Sequence, residues 1–196
     1  MILYLLIISI FGVLIALFVS LGYQVPFLQT LALTALAIVV IILVDGLVAT
    51  VCRLLPKKCA DHEKKFFQVS QKEKRFYEKI KIRLWKDKIP EIGHFTGFRK
   101  NKIAQPQDVE YLSRFLLEAC YGELGHLWIM PIGFVILALF FIHETWIALA
   151  IPVSIVNAIL NVLPVFVLRY NRYKIEILRK NAVKKQQKYL QEKKTV

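Results

Sequence analysis

No lysine or arginine precedes Arg53, and none lies between Arg114 and Arg169. The first absence removes the basic leading region of a secretory signal peptide, so MILYLLIISI reads as a retained hydrophobic helix. Cysteine is scarce and odd in number. Cys52, Cys59 and Cys120 do not make a disulfide framework, and Cys52, Cys59 and His62 fit no standard zinc spacing. The reading is therefore three unlinked thiols and no metal. The chain also lacks a phosphate loop of the GxxxxGK[ST] type, a GxGxxG turn, a GxSxG elbow and an HExxH helix. It has no soluble stretch large enough for a nucleotide fold, which excludes a self-contained soluble enzyme.

The 196 residues are 57% hydrophobic, yet they include 27 Lys and Arg against 14 Asp and Glu. A mean hydropathy of +0.51 is compatible with so much charge only if the charge is segregated. Seventeen basic residues lie from Arg53 to Arg114 and the last ten from Arg169 onward. These blocks abut long apolar runs, so they point to an anionic membrane surface and away from nucleic acid. A spanning helix needs about 20 apolar residues. Four segments meet that need: 1–22, 27–52, 119–142 and 146–168. Pro26 suits the start of the second, and Pro131, Pro152 and Pro164 are tolerable kinks within a membrane. The expected fold is all-α, a single integral membrane domain of four transmembrane helices. Between the second and third spans lies a basic cytosolic loop, 53–118, and after the fourth a basic helical tail, 169–196. The positive-inside rule then puts both termini of a multi-pass cell-membrane protein in the cytoplasm.

Within the loop, Asp61 to Leu84 is rich in helix formers. Phe66, Phe67, Val69, Phe76, Tyr77, Ile80 and Leu84 make an apolar stripe suited to lying on the membrane among lysines. Pro90, Gly93 and Gly97 mark a loop, IPEIGHFTGF, and Asp108 is a candidate N-cap for the next helix.

Three polar sets interrupt the spans. Glu118, Glu123 and His126 share one broad helix face at about 100° per residue, with Glu123 and His126 neighbours at i and i+3. A carboxylate beside an imidazole fixes its tautomer and raises its basicity, making His126 a candidate general base toward a hydroxyl. The alternative is a solvated polar helix end at headgroup level. Asp45 either pairs with Arg53 near the interface or joins the Glu123 and His126 set as a further carboxylate. Ser154, Asn157 and Asn161, at i, i+3 and i+7, either tie helices together by hydrogen bonds or line a substrate cavity.

Four blocks carry a resemblance: RFYEKIKIRLWKDKIPEIG from Arg75 to Gly93, the GF-x-K pattern from Gly97 to Lys100, EACYGELGH from Glu118 to His126, and LPVFVLRYNRYKIEIL from Leu163 to Leu178. Together they resemble the glycosyl-diaponeurosporenoate acyltransferase family, small membrane proteins named for the acylation of a glycosylated carotenoid. The resemblance implies transfer of a fatty acyl group to a hydroxyl of a glycosylated isoprenoid or glycolipid. The donor would be an acyl thioester, with acyl-CoA the expected co-substrate and no resident cofactor. Under it His126 is the base, Glu123 its orienting partner and Glu118 a support. Lys86, Lys100, Arg169 and Arg172 would hold phosphate groups, with Trp85 and Asn171 shaping the site. The competing reading is a non-catalytic membrane protein that binds anionic lipid or scaffolds a partner.

Overall fold

A computed structural model describes residues 2–89 and 103–194, and among these every regular element is helical. The α-helices are α1 (Ile2–Tyr23), α2 (Phe27–Leu54), α3 (Gln71–Lys79), α4 (Ile82–Trp85), α5 (Val109–Ile132) and α6 (Trp146–Lys194). Four helical stretches are long and apolar enough to cross a membrane: Tyr4–Tyr23, Phe27–Leu54, Val109–Ile142 and Trp146–Lys193. The chain divides into two units. Unit 1 comprises Met1–Leu54 and Leu124–Val165; unit 2 comprises Leu55–Glu123 and Phe166–Val196. Helices α5 and α6 contribute residues to both.

In unit 1, α1 and α2 are joined by a tight turn in which Gln24 takes a left-handed conformation (φ 55°). The Pro26 carbonyl accepts from the amides of Gln29 and Thr30 and so opens α2. Ile15, Val19, Ala37, Ile41, Ile136, Trp146, Leu149, Ala150 and Val153 form the core. The outward faces are equally apolar: Phe18 is 72% exposed and Leu28 77%. Such surfaces are unfavourable in water and suit hydrocarbon.

The third long segment starts at Val109, where Asp108, the expected N-cap, caps it. The Asp108 carboxylate accepts from the Glu110 amide at 2.8 Å and the Tyr111 amide at 3.1 Å. The segment is α-helical only to Ile132 and continues as a 3-10 helix over Gly133–Ile142. Pro131, which lacks an N–H and crowds the preceding turn, sits immediately upstream of the change. This 3-10 run is broken by a kink at Leu139 (φ −86°, ψ 22°). The looser carbonyl ladder is used: Trp146 Nε1 donates to the Ile136 carbonyl at 2.8 Å, and Ser154 Oγ donates to the Gly133 carbonyl at 3.2 Å. The fourth segment is one unbroken helix, so the expected tail at 169–196 is the continuation of α6 and not a separate element.

Unit 2 departs further from expectation. Only Gln71–Lys79 and Ile82–Trp85 of the Asp61–Leu84 stretch are α-helical. The carbonyls of Phe66, Phe67 and Gln68 accept from Arg169 and Arg172, which takes them out of any local helical ladder. Long-range partners thus override local propensity. The apolar stripe is split accordingly: Phe67 and Tyr77 are buried, while Phe66, Phe76 and Leu84 remain exposed. Ser70 caps α3, its hydroxyl accepting from the Glu73 amide at 3.1 Å. The α5–α6 part of the core is Leu112, Phe115, Leu116, Ile175 and Ala182. Loss of one capping acceptor costs about 1 kcal/mol. Asp108→Ala should therefore lower the thermal midpoint of the detergent-purified protein measurably, whereas Asp108→Asn should sit close to the parent.

Candidate functional site

Each unit contains one polar centre. In unit 2 it is built on Glu123, whose side chain has no exposed surface. Arg169 Nη1 donates to its Oε1 at 2.6 Å, and Arg172 Nη2 donates to its Oε2. The Arg169 fork also grips Glu73 on α3, Nη2 reaching Oε2 at 3.0 Å and Nε reaching Oε1. Tyr77 Oη donates to Glu73 Oε1 at 2.5 Å. Arg172 Nη1 donates to the Phe67 carbonyl at 2.7 Å, and its guanidinium lies 5.2 Å from the Phe67 ring centroid. Two arginines and two glutamates thus form a charge-balanced network, the condition under which buried charges are tolerable.

This geometry gives these residues partners within the protein. Arg169 and Arg172 face carboxylates and backbone carbonyls of their own chain. With Arg172 only 1% exposed, its guanidinium clamps the 66–68 turn and is not displayed for a phosphate. The spacing of Glu123 and His126 suggests a pair, but the carboxylate of one is spent on arginines and the imidazole of the other meets an asparagine. Among the remaining candidates in unit 2, Lys86 Nζ is ion-paired with Asp87 at 2.8 Å. Trp85 Nε1 donates to the Ile80 carbonyl at 3.1 Å, closing the α3–α4 corner. Asn171 is buried and Glu118 half-buried. Lys100, with the IPEIGHFTGF loop, lies outside the described residues.

In unit 1 the centre is a chain of side chains across α5, α6 and α2. His126 Nδ1 lies 2.7 Å from Asn161 Oδ1. Asn161 Nδ2 donates to the Asn157 backbone carbonyl at 2.9 Å and to Asn157 Oδ1 at 3.1 Å. Asn157 Nδ2 donates to Asp45 Oδ1 at 3.1 Å. The direction of this chain follows from its fixed ends. A backbone carbonyl only accepts, so the Asn161 amide must turn its NH2 toward residue 157 and its oxygen toward the imidazole. That oxygen requires the proton on Nδ1, so that in the neutral ring Nε2 is the acceptor. Asp45 closes the chain, its carboxylate accepting from Asn157 Nδ2. Gly133 makes room for the chain, since a β-carbon at that position would stand 3.0 Å from Asn157 Nδ2.

Glu73, Tyr77 and the Asn161–His126 link escape a reading of spacings. Ser70-x-x-Glu73 announces a helix start, but nothing local ties Glu73 to an arginine 96 positions on. Burial alone would raise the Glu73 carboxyl. The hydrogen bonds from Arg169 and Tyr77, with the Arg169 charge, outweigh it and hold the group below the ordinary glutamate range. Burial, followed by the bond to Glu73, pushes the Tyr77 phenol up.

A depressed carboxyl stabilises the fold fully above its unfolded-state value, and that contribution is lost as pH falls through the folded-state value. Thermal scans at falling pH should show this acid-side loss in the parent and a smaller one in Glu73→Gln. Breaking a buried pair by removing one partner costs about 3–5 kcal/mol. Glu123→Gln, measured in the same scans at neutral pH, should be much less stable than Glu73→Gln.

Residues 63–181 match the model of one protein family, described as glycosyl-4,4'-diaponeurosporenoate acyltransferase. No curated protein and no solved structure matches the chain. The matched region covers α3 to α5 entirely, the first part of α6, and every residue of both polar centres except Asp45. On that extent of agreement, the chain belongs to the glycosyl-4,4'-diaponeurosporenoate acyltransferase family.

Proposed function

We propose that the protein transfers a fatty acyl group from an acyl thioester to a hydroxyl of a glycosylated isoprenoid or glycolipid at the cytosolic face of the cell membrane. Family membership supports the reaction class, and the family's name supports a glycosylated carotenoid as the acceptor. The observation that carries the mechanism is the 2.7 Å contact between His126 Nδ1 and an Asn161 oxygen that cannot turn away. It presents a neutral imidazole whose Nε2 is the acceptor, the tautomer a general base requires.

In this reading Nε2 takes the proton of the attacking hydroxyl as its oxygen bonds to the thioester carbonyl carbon. The tetrahedral adduct then collapses with cleavage of the carbon–sulfur bond, and the proton passes from Nε2 to the departing thiolate. As positive charge develops on the ring, Asn161 accepts a strengthened bond from Nδ1–H. The amide chain ending on the Asp45 carboxylate polarises in the same sense. Glu123, the orienting partner that the sequence suggests for His126, is instead held by Arg169 and Arg172 within unit 2. Coenzyme A, the expected donor carrier, would meet its phosphate contacts on exposed basic side chains such as Lys88, with Lys100 a further candidate. The four helices would cross the membrane with both termini cytoplasmic, an arrangement that places all 27 basic residues on one side.

Lipids extracted from cells with and without the protein test this directly by mass spectrometry. A glycosylated lipid heavier by one acyl chain should appear only with the protein. Positioned general bases contribute about 10²–10⁴-fold. The initial rate should fall by that order in His126→Ala, while the folded protein is retained. Asn161→Leu, which frees the tautomer but leaves the ring, should lose less. Unimpaired acylation in His126→Ala would overturn the mechanism.

A further inference from the structure

Unit 2 leaves Phe66, Phe76 and Leu84 in the open, at 55%, 47% and 72% exposure, although Phe67 and Tyr77 beside the first two are buried. All three are tied to one short stretch of α6. The Phe76 ring stands 5.9 Å from that of Phe166, edge to face. The Phe66 carbonyl accepts from Arg169 Nη1 at 3.1 Å. Arg83, the neighbour of Leu84, donates from Nε to Tyr170 Oη at 2.8 Å. From Phe166 to Tyr170 a helix rises only about 6 Å. Farther along α6 the same segment offers polar side chains instead. Gln71 bonds the Tyr173 hydroxyl, Lys74 lies over the Tyr173 ring, and His62 meets Glu176 at 3.0 Å. The open apolar groups therefore gather at the 166–170 end.

That end coincides with the close of the apolar run of α6. Residues 146–168 include no Asp, Glu, Lys or Arg, and Arg169 is the first charge. As an α-helix this run measures about 34 Å, matched to a hydrocarbon layer of about 30 Å. Leu168 and Arg169 thus mark the boundary between hydrocarbon and headgroups, and the three exposed side chains stand beside it. The charge around them fits the same place. Among the exposed residues from 63 to 88, eight are Lys or Arg and three are Asp or Glu. Of those acids, Glu78 is paired with Arg83 at 3.5 Å and Asp87 with Lys86 at 2.8 Å. Lys64, Lys65, Lys72 and Arg75 flank the two phenylalanines in sequence, and all four are exposed. A water-soluble partner would have to enter the headgroup layer to reach apolar groups at this level. Lipid is already there.

We infer that Phe66, Phe76 and Leu84 anchor unit 2 in the headgroup layer of an anionic bilayer, with Lys64, Lys65, Lys72 and Arg75 on its phosphates. The inference rests on α6 crossing the membrane and not on acyl transfer. The full chain can be made with para-fluorophenylalanine and placed in phosphatidylglycerol nanodiscs. Fluorine signals are assigned with Phe18→Leu, Phe66→Leu and Phe76→Leu. A phospholipid bearing a nitroxide high on its acyl chain should remove most of the Phe66 and Phe76 intensity, and a water-soluble gadolinium chelate should remove little. Exchanging phosphatidylglycerol for phosphatidylcholine should weaken the lipid effect on both. It should leave the effect on Phe18 of α1 unchanged, because hydrocarbon alone holds that helix. If the nitroxide silences Phe18 but spares Phe66 and Phe76, the patch faces water or a soluble partner and the anchor is overturned. An equal lipid effect in the two bilayers would overturn its anionic half. A nitroxide that spares Phe18 as well would refute the spanning reading, and the anchor with it.

Discussion

The burial of Glu123 between two arginines is the constraint on which unit 2 depends. A carboxylate with no exposed surface is tolerable only when both oxygens are answered, and Arg169 and Arg172 answer them from α6. Having turned inward, the two guanidinium groups carry more donors than one carboxylate can accept. Much of the surplus is met by Glu73 and by three consecutive backbone carbonyls at 66–68, although Arg172 Nε is left without a partner. Those bonds in turn explain why α3 begins at Gln71 and why Phe67 is drawn inward beneath Arg172. One buried charge therefore dictates the path of a chain segment far from it in sequence. Arginine suits this work because its planar fork holds five donors in fixed directions; lysine offers three on a compact, freely rotating ammonium.

Unit 1 solves the same problem without a cation among the recorded contacts of its polar chain. Asp45 is answered by an amide, that amide by another, and the second by an imidazole. Each link is both donor and acceptor, so the chain has a direction, and the direction ends in a lone pair on His126. Gly133 and Pro131 belong to this arrangement. The change from α to 3-10 helix after Ile132 releases carbonyls for Ser154 and Trp146, and the missing side chain at 133 admits Asn157.

Much of this was legible in the sequence, for definable reasons. The four apolar segments follow from composition, because a bilayer asks for length and hydrophobicity before anything else. Asp108 was readable as a cap because capping is local. The polar positions 154, 157 and 161 were readable because i, i+3 and i+7 fall on one helix face, although their destination was not. The same spacing recurs at 169, 172 and 176 on the same helix. There it was hidden by the basic composition of the tail, which reads as a solvated surface. The Glu123–His126 pairing shows the limit of such reasoning. Spacing along a helix names side chains that can meet, but long-range partners decide which do. Arg169, Arg172 and Asn161 all lie on α6, out of reach of any argument confined to α5.

An asparagine as the hydrogen-bond partner of the His126 imidazole has a physical logic within apolar surroundings. A carboxylate placed directly on Nδ1 would supply a full negative charge and favour the imidazolium, which has no lone pair to offer a hydroxyl. An amide oxygen fixes the same tautomer with only a dipole. The charge of Asp45 is held two amides away, close enough to orient the chain and to polarise it when the ring takes up a proton. In this protein the lock is doubled, because Asn161 is pinned by the backbone carbonyl of residue 157 as well as by its side chain. The tautomer therefore depends first on Asn161 and only secondarily on Asp45, so loss of the amide should disturb the imidazole more than loss of the acid.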